Sequence, residues 1–162
     1  TPHMDPDAAG AFIGLRAHHG PAALSRAVME GAAFSLLDAF QVLQELGGTP
    51  KRIVLAGGGA RSRIWTEIVA GIFDLPVDPL EESEGSAMGA AIVAGAAIGW
   101  FDLDAGAALA ARFGPRIEPD PRVVPIYEEL HPIFQHAYQV LKDDFHALGG
   151  IAVRARSASI NA

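Results

Sequence analysis

Apolar positions at helical spacing predict two helices in the first half of the chain. Residues 22–46 contain no proline and are rich in Ala, Leu and Glu, with Pro21 in the first turn and Gly47-Gly48 as the end. Apolar side chains cover a wide arc of this segment, which predicts burial on more than one side. The second helix covers residues 63–73, with Ser62 as its cap. One face of it carries Ile64, Ile68 and Ile72.

Short apolar runs between turn residues predict strands. Residues 52–56 form such a run, which predicts a buried strand ended by three glycines. Residues 11–15 predict a strand or the end of one. Residues 75–79 are extended, because their prolines do not fit a helix. Helices interleaved with short strands indicate an α/β fold.

The second half of the chain is predicted to be mostly helical. Small residues predict a helix over 86–98, a shorter one follows over 105–112, and a final helix covers 127–148. Phe134, Tyr138 and Leu141 are expected on the packed face of that final helix. Residues 151–162 show no clear period, which predicts a loose, flexible tail.

Length and composition limit the class of protein. A chain of 162 residues suits one domain, which we place over residues 1–150, with the tail after it. The net charge of -7 argues against a nucleic-acid partner. The longest uncharged stretch, 85–101, is too short and glycine-rich for a membrane span, and the first residues do not resemble a signal peptide. The chain has no cysteine, which fits a cytoplasmic protein.

The junction Gly57-Gly58-Gly59-Ala60-Arg61-Ser62 is the strongest candidate for a binding site. Glycine lets the backbone approach a ligand closely, and the following helix offers unpaired N–H groups to phosphates or polar edges. A tight turn without a ligand is the alternative, although three glycines exceed what such a turn needs. The dinucleotide fingerprint fails because Ser62 replaces its last glycine, and the P-loop fails because no Gly-Lys-Ser/Thr follows.

Other candidates favour structural roles. Residues 84–91 indicate either a helix behind a nucleotide pocket or simple close packing. Glu81, Glu82 and Glu84 precede a helix, so a solvated face and dipole compensation explain them. Trp65 is expected in the core. Metal sites are not expected at His18-His19 or at His131 and His136, because neither spacing suits a shared ion.

Taken together, four segments resemble the FGGY family of carbohydrate kinases, over nearly all of residues 1–149. They are residues 10–15 continuing into 27–31, residues 54–62 followed by Trp65, residues 84–91 continuing to Gly99, and the opening Thr1-Pro2-His3. Ala23 departs from the pattern, because a polar or acidic residue is usual there. The order and spacing of the segments carry the resemblance.

The resemblance implies a ribonuclease-H-like domain of the actin/hexokinase superfamily, with a mixed sheet and packed helices. In that superfamily two such domains close over ATP and sugar, and the C-terminal one holds adenosine. Carried onto this chain, residues 57–62 would bind the nucleotide, with Gly58, Gly59 and Ala60 against it and Arg61 and Ser62 at the edge. Arg63 stands where related glycerol kinases have an Asn near the adenine.

The resemblance also implies the activity. The family transfers the γ-phosphate of ATP to a sugar hydroxyl with Mg²⁺, and the likeness is nearest to its xylulose kinases, which make xylulose 5-phosphate. The catalytic aspartate and most Mg²⁺ and sugar contacts precede this region in the family, so the chain alone is expected to be inactive. Asp38, Asp74 and Asp78 are not substitutes, and the partner is an N-terminal kinase domain of the same full-length protein.

Two other functions stay open. The chain could be the equivalent half of a ribulose, gluconate or glycerol kinase, because the sugar contacts lie elsewhere in the family. It could also be a stand-alone, non-catalytic module that binds nucleotide or dimerises. Surfaces that normally meet an N-terminal domain would be exposed, which predicts self-association through apolar patches.

Overall fold

The computed structural model of the chain describes residues 4–81 and 85–160. Its elements, in chain order, are α1 (Pro21–Glu45), β1 (Ile53–Leu55), a 3-10 helix (Gly58–Arg61), α2 (Arg63–Phe73), β2 (Val77–Pro79), α3 (Gly85–Ala97), α4 (Leu103–Ala110) and α5 (Val124–Ile160). The predictions for Thr1-Pro2-His3, Glu82 and Glu84 lie outside the described residues. None of the helices within the described ranges is long and apolar enough to cross a membrane.

The chain packs as two compact units, where its length had suggested one domain. We call residues 1–46 with 126–162 the helical unit, and residues 47–125 the α/β unit. The predicted domain boundary at residue 150 stays a prediction, and α5 runs past it without a break.

The helical unit is built on an aromatic cluster between α1 and α5. Phe34 of α1 is buried, and its ring lies 5.4 to 5.9 Å from three rings of α5. Those rings belong to Tyr127, His131 and Phe134. Together with Tyr138, Leu141 and Phe145 they form one stripe at spacings of three and four residues, as expected for a single helix face. The predicted packed face of the final helix is confirmed.

Two predictions for the first 46 residues have different outcomes. The helix α1 is confirmed, with Pro21 in its first turn and Gly47 in the left-handed region (φ 92°) just after its end. Burial on more than one side is wrong, because apolar side chains such as Leu36 and Leu43 are exposed. Only Ala33, Phe34 and Asp38 of α1 are buried.

The predicted strand at residues 11–15 is wrong. The segment is irregular and Phe12, Ile13 and Leu15 are exposed. Gly14 has φ 79°, which interrupts an extended backbone. A strand also needs a partner for its N–H and C=O groups, and the apolar run by itself does not supply one.

The residues predicted to form a flexible tail are helical as far as Ile160, and their flexibility stays a prediction. The helix α5 continues without interruption to Ile160. Ala152 and Ala155 favour helix, and no proline follows to end it. Because residues 151–156 are exposed on all sides, the segment lacks an apolar face and its helix leaves no periodic pattern in the sequence.

The α/β unit contains a small mixed sheet. The strands β1 and β2 are parallel, with Ile53 opposite Val77 and Leu55 opposite Pro79. On the other side, Val77 of β2 and Leu80, which follows β2, form antiparallel bridges to Ile117 and Phe113. The strand prediction at 52–56 is therefore confirmed, but its burial is wrong: Val54 is 45% exposed, on a strand that pairs only with β2 among the described residues.

The helices of the α/β unit follow the sequence closely. Helix α2 begins and ends as predicted, and Ile68 and Ile72 are buried, although Ile64 is exposed. Helices α3 and α4 pack around the ring of Phe101. A Cβ atom at either Gly95 or Gly106 would lie 2.5 Å from that ring. Close packing therefore explains the small residues at this end of α3.

Candidate functional site

The glycine junction forms a compact turn between β1 and α2. Gly57 reverses the chain with φ 80°, a conformation that glycine adopts without a Cβ clash. A 3-10 turn follows, closed by hydrogen bonds from the Ala60 N–H to the Gly57 carbonyl (3.1 Å) and from the Ser62 N–H to the Gly59 carbonyl (3.0 Å). The six predicted residues thus form one continuous loop.

The two central glycines present backbone to solvent. Gly58 and Gly59 are both exposed, and a Cβ atom built on Gly58 meets no atom within 4 Å. Among residues 4–81 and 85–160, the amides of these two glycines have no hydrogen-bond acceptor. Two adjacent backbone donors are therefore available to a polar ligand that approaches this face.

Gly59 is a glycine for a different reason. A Cβ atom there would lie 3.0 Å from Cδ1 and Nε1 of Trp65, so the indole ring takes the space of a side chain. Trp65 is half-buried, which differs from the expected core position. The sequence signal for this contact is the helical spacing between Ser62 and Trp65, which brings the first turn of α2 back over the loop.

The start of α2 is fixed by two side chains. The Ser62 hydroxyl accepts a hydrogen bond from the Trp65 N–H (3.3 Å), which confirms the predicted cap. The hydroxyl of Thr66, fully buried, donates to the Ser62 carbonyl (3.0 Å). Sequence reasoning missed Thr66, because a threonine inside a helix carries no distinctive pattern. These contacts hold the helix N-terminus against the loop.

The remaining loop residues differ in exposure. Ala60 is buried, so its side chain supports the turn from below. Arg61 and Ser62 are exposed, and their place at the edge of a nucleotide pocket stays a prediction. Arg63 forms an exposed ion pair with Glu67 (2.8 Å), one turn further along α2.

Asp78 organises the sheet from which the loop leaves. Its carboxylate is buried. Both carboxylate oxygens accept hydrogen bonds from the Arg116 guanidinium (2.6 and 2.8 Å), and one of them also accepts a hydrogen bond from Arg52 (2.7 Å). The hydrogen bond from Arg116 is the largest cause that lowers the pKa of Asp78 to about 2. Arg52 precedes β1 and Arg116 lies in the antiparallel segment, so Asp78 links all three segments of the sheet. A catalytic role is not needed to explain it.

A second buried carboxylate lies in the helical unit. Oδ1 of Asp38 accepts hydrogen bonds from Nε2 of His131 and from the side-chain amide of Gln135, both at 2.7 Å. Asp38 also lines an open cavity of about 390 Å³ together with His136. His131 is hydrogen-bonded to Asp38, whereas His136 lines the cavity directly. Among the described residues neither this pair nor His18-His19 joins a metal-binding group.

Comparison with solved structures gives the class of the fold. The structure of a xylulose kinase from Rhodospirillum rubrum matches with a TM-score of 0.77 and 34% identity over 88% of this chain and 29% of that one. A gluconate kinase from Lactobacillus acidophilus matches with a TM-score of 0.78 and 27% identity, over the same shares. The chain therefore has the actin/hexokinase-like fold of the sugar kinases.

Sequence comparison then gives the family. The model of the FGGY family of carbohydrate kinases, C-terminal domain, matches residues 1–98. A curated xylulose kinase from Staphylococcus epidermidis is 34% identical over 143 residues, which are 88% of this chain and 29% of the relative. The chain belongs to the FGGY family of carbohydrate kinases. It spans about 29% of the length of the relatives it matches.

Proposed function

We propose that this chain is the nucleotide-binding half of an ATP-dependent sugar kinase whose acceptor is xylulose and whose product is xylulose 5-phosphate. In this proposal residues 57–62 hold the adenosine part of ATP. The single observation that carries it is the exposed backbone of Gly58 and Gly59, with two amides that have no acceptor among the described residues. The proposal includes a cytoplasmic location, which the absence of cysteine favours.

The loop suits a nucleotide and not a magnesium ion. Its six residues contain no carboxylate, the group through which proteins usually bind Mg²⁺. Both oxygens of Asp78 are already engaged by arginines. We therefore place the metal, the sugar and the aspartate that accepts the hydroxyl proton in an N-terminal domain of the full-length protein, as the family resemblance implies. What this chain contributes is position, the main requirement of phosphoryl transfer.

A binding experiment tests the loop. Gly58→Val places a side chain in front of the loop, where a Cβ atom meets no described atom within 4 Å. We expect calorimetric titration with ADP to show binding by the unaltered chain, and a loss of about tenfold or more in the variant, because an interaction that needs close backbone approach is blocked. Gly20→Val is the matched control. Gly20 is also unobstructed, and its extended backbone (φ −90°) accepts valine.

Gly59 is the less suitable test position, because its Cβ must displace Trp65. A Gly59→Ala variant that loses ADP binding would report either blocked approach or a moved indole ring. If the chain binds ADP and Gly58→Val binds equally well, the loop is not the site. If neither protein binds, the isolated chain is not a nucleotide-binding module.

The acceptor sugar needs a separate experiment on the full-length protein. Its rate with ATP and Mg²⁺ is measured on xylulose, gluconate and glycerol, and the largest kcat/KM is expected for xylulose. A gluconate kinase matches the fold as closely as a xylulose kinase does, so gluconate is the specific alternative. A preference for gluconate would replace the proposed acceptor and leave the nucleotide site untouched.

A further inference from the structure

A second site of different chemistry lies in the helical unit, where residues before α1 meet α5. Asp5, Asp7 and His146 each offer one ligand atom, and these atoms all lie within 4.8 Å of one another. The group contains an imidazole beside two carboxylates, a ligand set that zinc accepts. Asp7 and His146 are exposed, so an ion in solution can reach the group.

The distance between the ligand atoms of Asp5 and His146 already suits a single ion. Nε2 of His146 lies 3.1 Å from Oδ1 of Asp5. Two ligands of a tetrahedral Zn²⁺ with bonds of about 2.0 to 2.1 Å are about 3.3 Å apart. Zn²⁺ would take the place of the hydrogen that now bridges these atoms, with the imidazole hydrogen moving to Nδ1.

Asp5 is oriented by a group outside the cluster. The Tyr138 hydroxyl donates to Oδ2 of Asp5 (2.8 Å), and only 8% of the Asp5 side chain is exposed. A hydrogen-bonded outer partner of this kind fixes the orientation of a metal ligand.

Asp7 is held close by the absence of a side chain on α5. A Cβ atom at Gly149 would lie 2.5 Å from Oδ1 of Asp7, so the glycine gives this carboxylate its place against the helix. Gly149 and Gly150 stand next to each other, and a Cβ at Gly150 meets only Arg154, at an ordinary 3.5 Å. The position of the Asp7 carboxylate therefore requires a glycine at 149 but not at 150.

We propose that Asp5, Asp7 and His146 bind a divalent transition metal of the Zn²⁺ type, which ties the segment before α1 to α5. The site is independent of the glycine loop and of phosphoryl transfer. Mg²⁺ is not its ion, because a nitrogen ligand and only two carboxylates favour zinc over a hard, oxygen-seeking cation.

The experiment is a calorimetric titration of the chain with Zn²⁺, repeated with Mg²⁺. One Zn²⁺ per chain is expected, with a rise in the melting temperature that EDTA reverses. His146→Gln removes a ligand, and Gly149→Ala displaces Asp7 while all three ligands remain. Each is expected to weaken binding about tenfold or more. The controls His136→Gln and Gly150→Ala are expected to change it less than about twofold.

Each contrary result overturns the proposal. It fails if the unaltered chain does not bind Zn²⁺, if His146→Gln binds as tightly, or if the two controls lose as much as their matched variants. Equal affinity for Mg²⁺ would overturn the choice of metal. Asp7→Asn, a change at an exposed position, serves if Gly149→Ala does not fold, and unchanged Zn²⁺ binding in that variant would also refute the site.

Discussion

Asp78 of the α/β unit and Asp38 of the helical unit are both buried, and the two carboxylates are satisfied in different ways. Asp78 of the α/β unit is paired with Arg52 and Arg116, whose side chains are half exposed. Asp38 of the helical unit is paired with His131, itself buried, and with the exposed Gln135. The first carboxylate is neutralised by charges that keep their contact with water, whereas the second depends on hydrogen bonds within the packed helix interface.

This difference indicates what each unit loses when its carboxylate is removed. Without Asp78, two arginines become unpaired but stay hydrated, which costs little. Without Asp38, a buried imidazole loses its acceptor, and an unsatisfied buried group is expensive. Unfolding of the two units can be followed by different spectroscopic signals. Tryptophan fluorescence reports on the α/β unit, because both tryptophans, Trp65 and Trp100, belong to it. The two longest helices, of 25 and 37 residues, belong mostly to the helical unit.

The largest expected effect is on the aromatic cluster around Phe34, which includes His131, the partner of Asp38. Phe34→Ala should lower the free energy of unfolding by about 3–5 kcal/mol, because it leaves a cavity among the rings of α5. Urea unfolding followed by far-UV circular dichroism measures it, and tryptophan fluorescence measures whether the loss spreads to the α/β unit. Leu36→Ala, at an exposed position of the same helix, should change stability by less than about 0.5 kcal/mol. Equal losses in the two variants would contradict the observed packing.

The next effect compares the carboxylates directly. Asp38→Ala should cost about 1–3 kcal/mol, because His131 is left buried without its acceptor, and Asp38→Asn should cost less because an acceptor oxygen remains. The same urea titration measures both variants. Asp143→Ala, on the exposed surface of α5, is the control. If Asp38→Ala is no worse than this control, the helical unit does not depend on its buried carboxylate.

The smallest effect is the acid dependence of Asp78. Its pKa is about 2 in the folded chain and 3.8 in the reference state, so its ion pairs stabilise the fold above pH of about 4. That stabilisation is lost as the pH falls from about 4 toward 2. Urea unfolding by tryptophan fluorescence should show Asp78→Asn less stable than the unaltered chain at pH 6, with the difference shrinking at pH 2.5. A constant difference over this range would mean that the ion pairs do not carry the stability.

The helices and the loop could be predicted because their signals are local. Helix α2 is bounded by a serine cap and filled by apolar residues at helical spacing, and both signals lie within the segment itself. The glycines at 57–59 predict a turn, because glycine adopts backbone conformations that other residues avoid. Their role in binding a nucleotide is still a prediction, because no contact with a ligand tests it.

The errors arise where a segment depends on something distant. Residues 11–15 have a strand-like composition, but a strand exists only if another strand pairs with it. The burial of β1 was inferred from its apolar residues, although Val54 lies on a strand that pairs only with β2 among the described residues. The partners of Asp78 and Asp38 are 26 to 97 residues away in the sequence, so no spacing rule could have found them.

Because Gly59 and Trp65 are in contact, the size of residue that fits at one position depends on the residue at the other. A larger residue at 59 meets the indole ring at once, while a smaller residue at 65 merely leaves space. Substitutions at these positions therefore have a preferred order, because a larger residue at 59 fits without moving the indole ring only after Trp65 has become smaller. A stepwise exchange of these two residues in that order passes first through a variant in which the first turn of α2 has lost its aromatic cover.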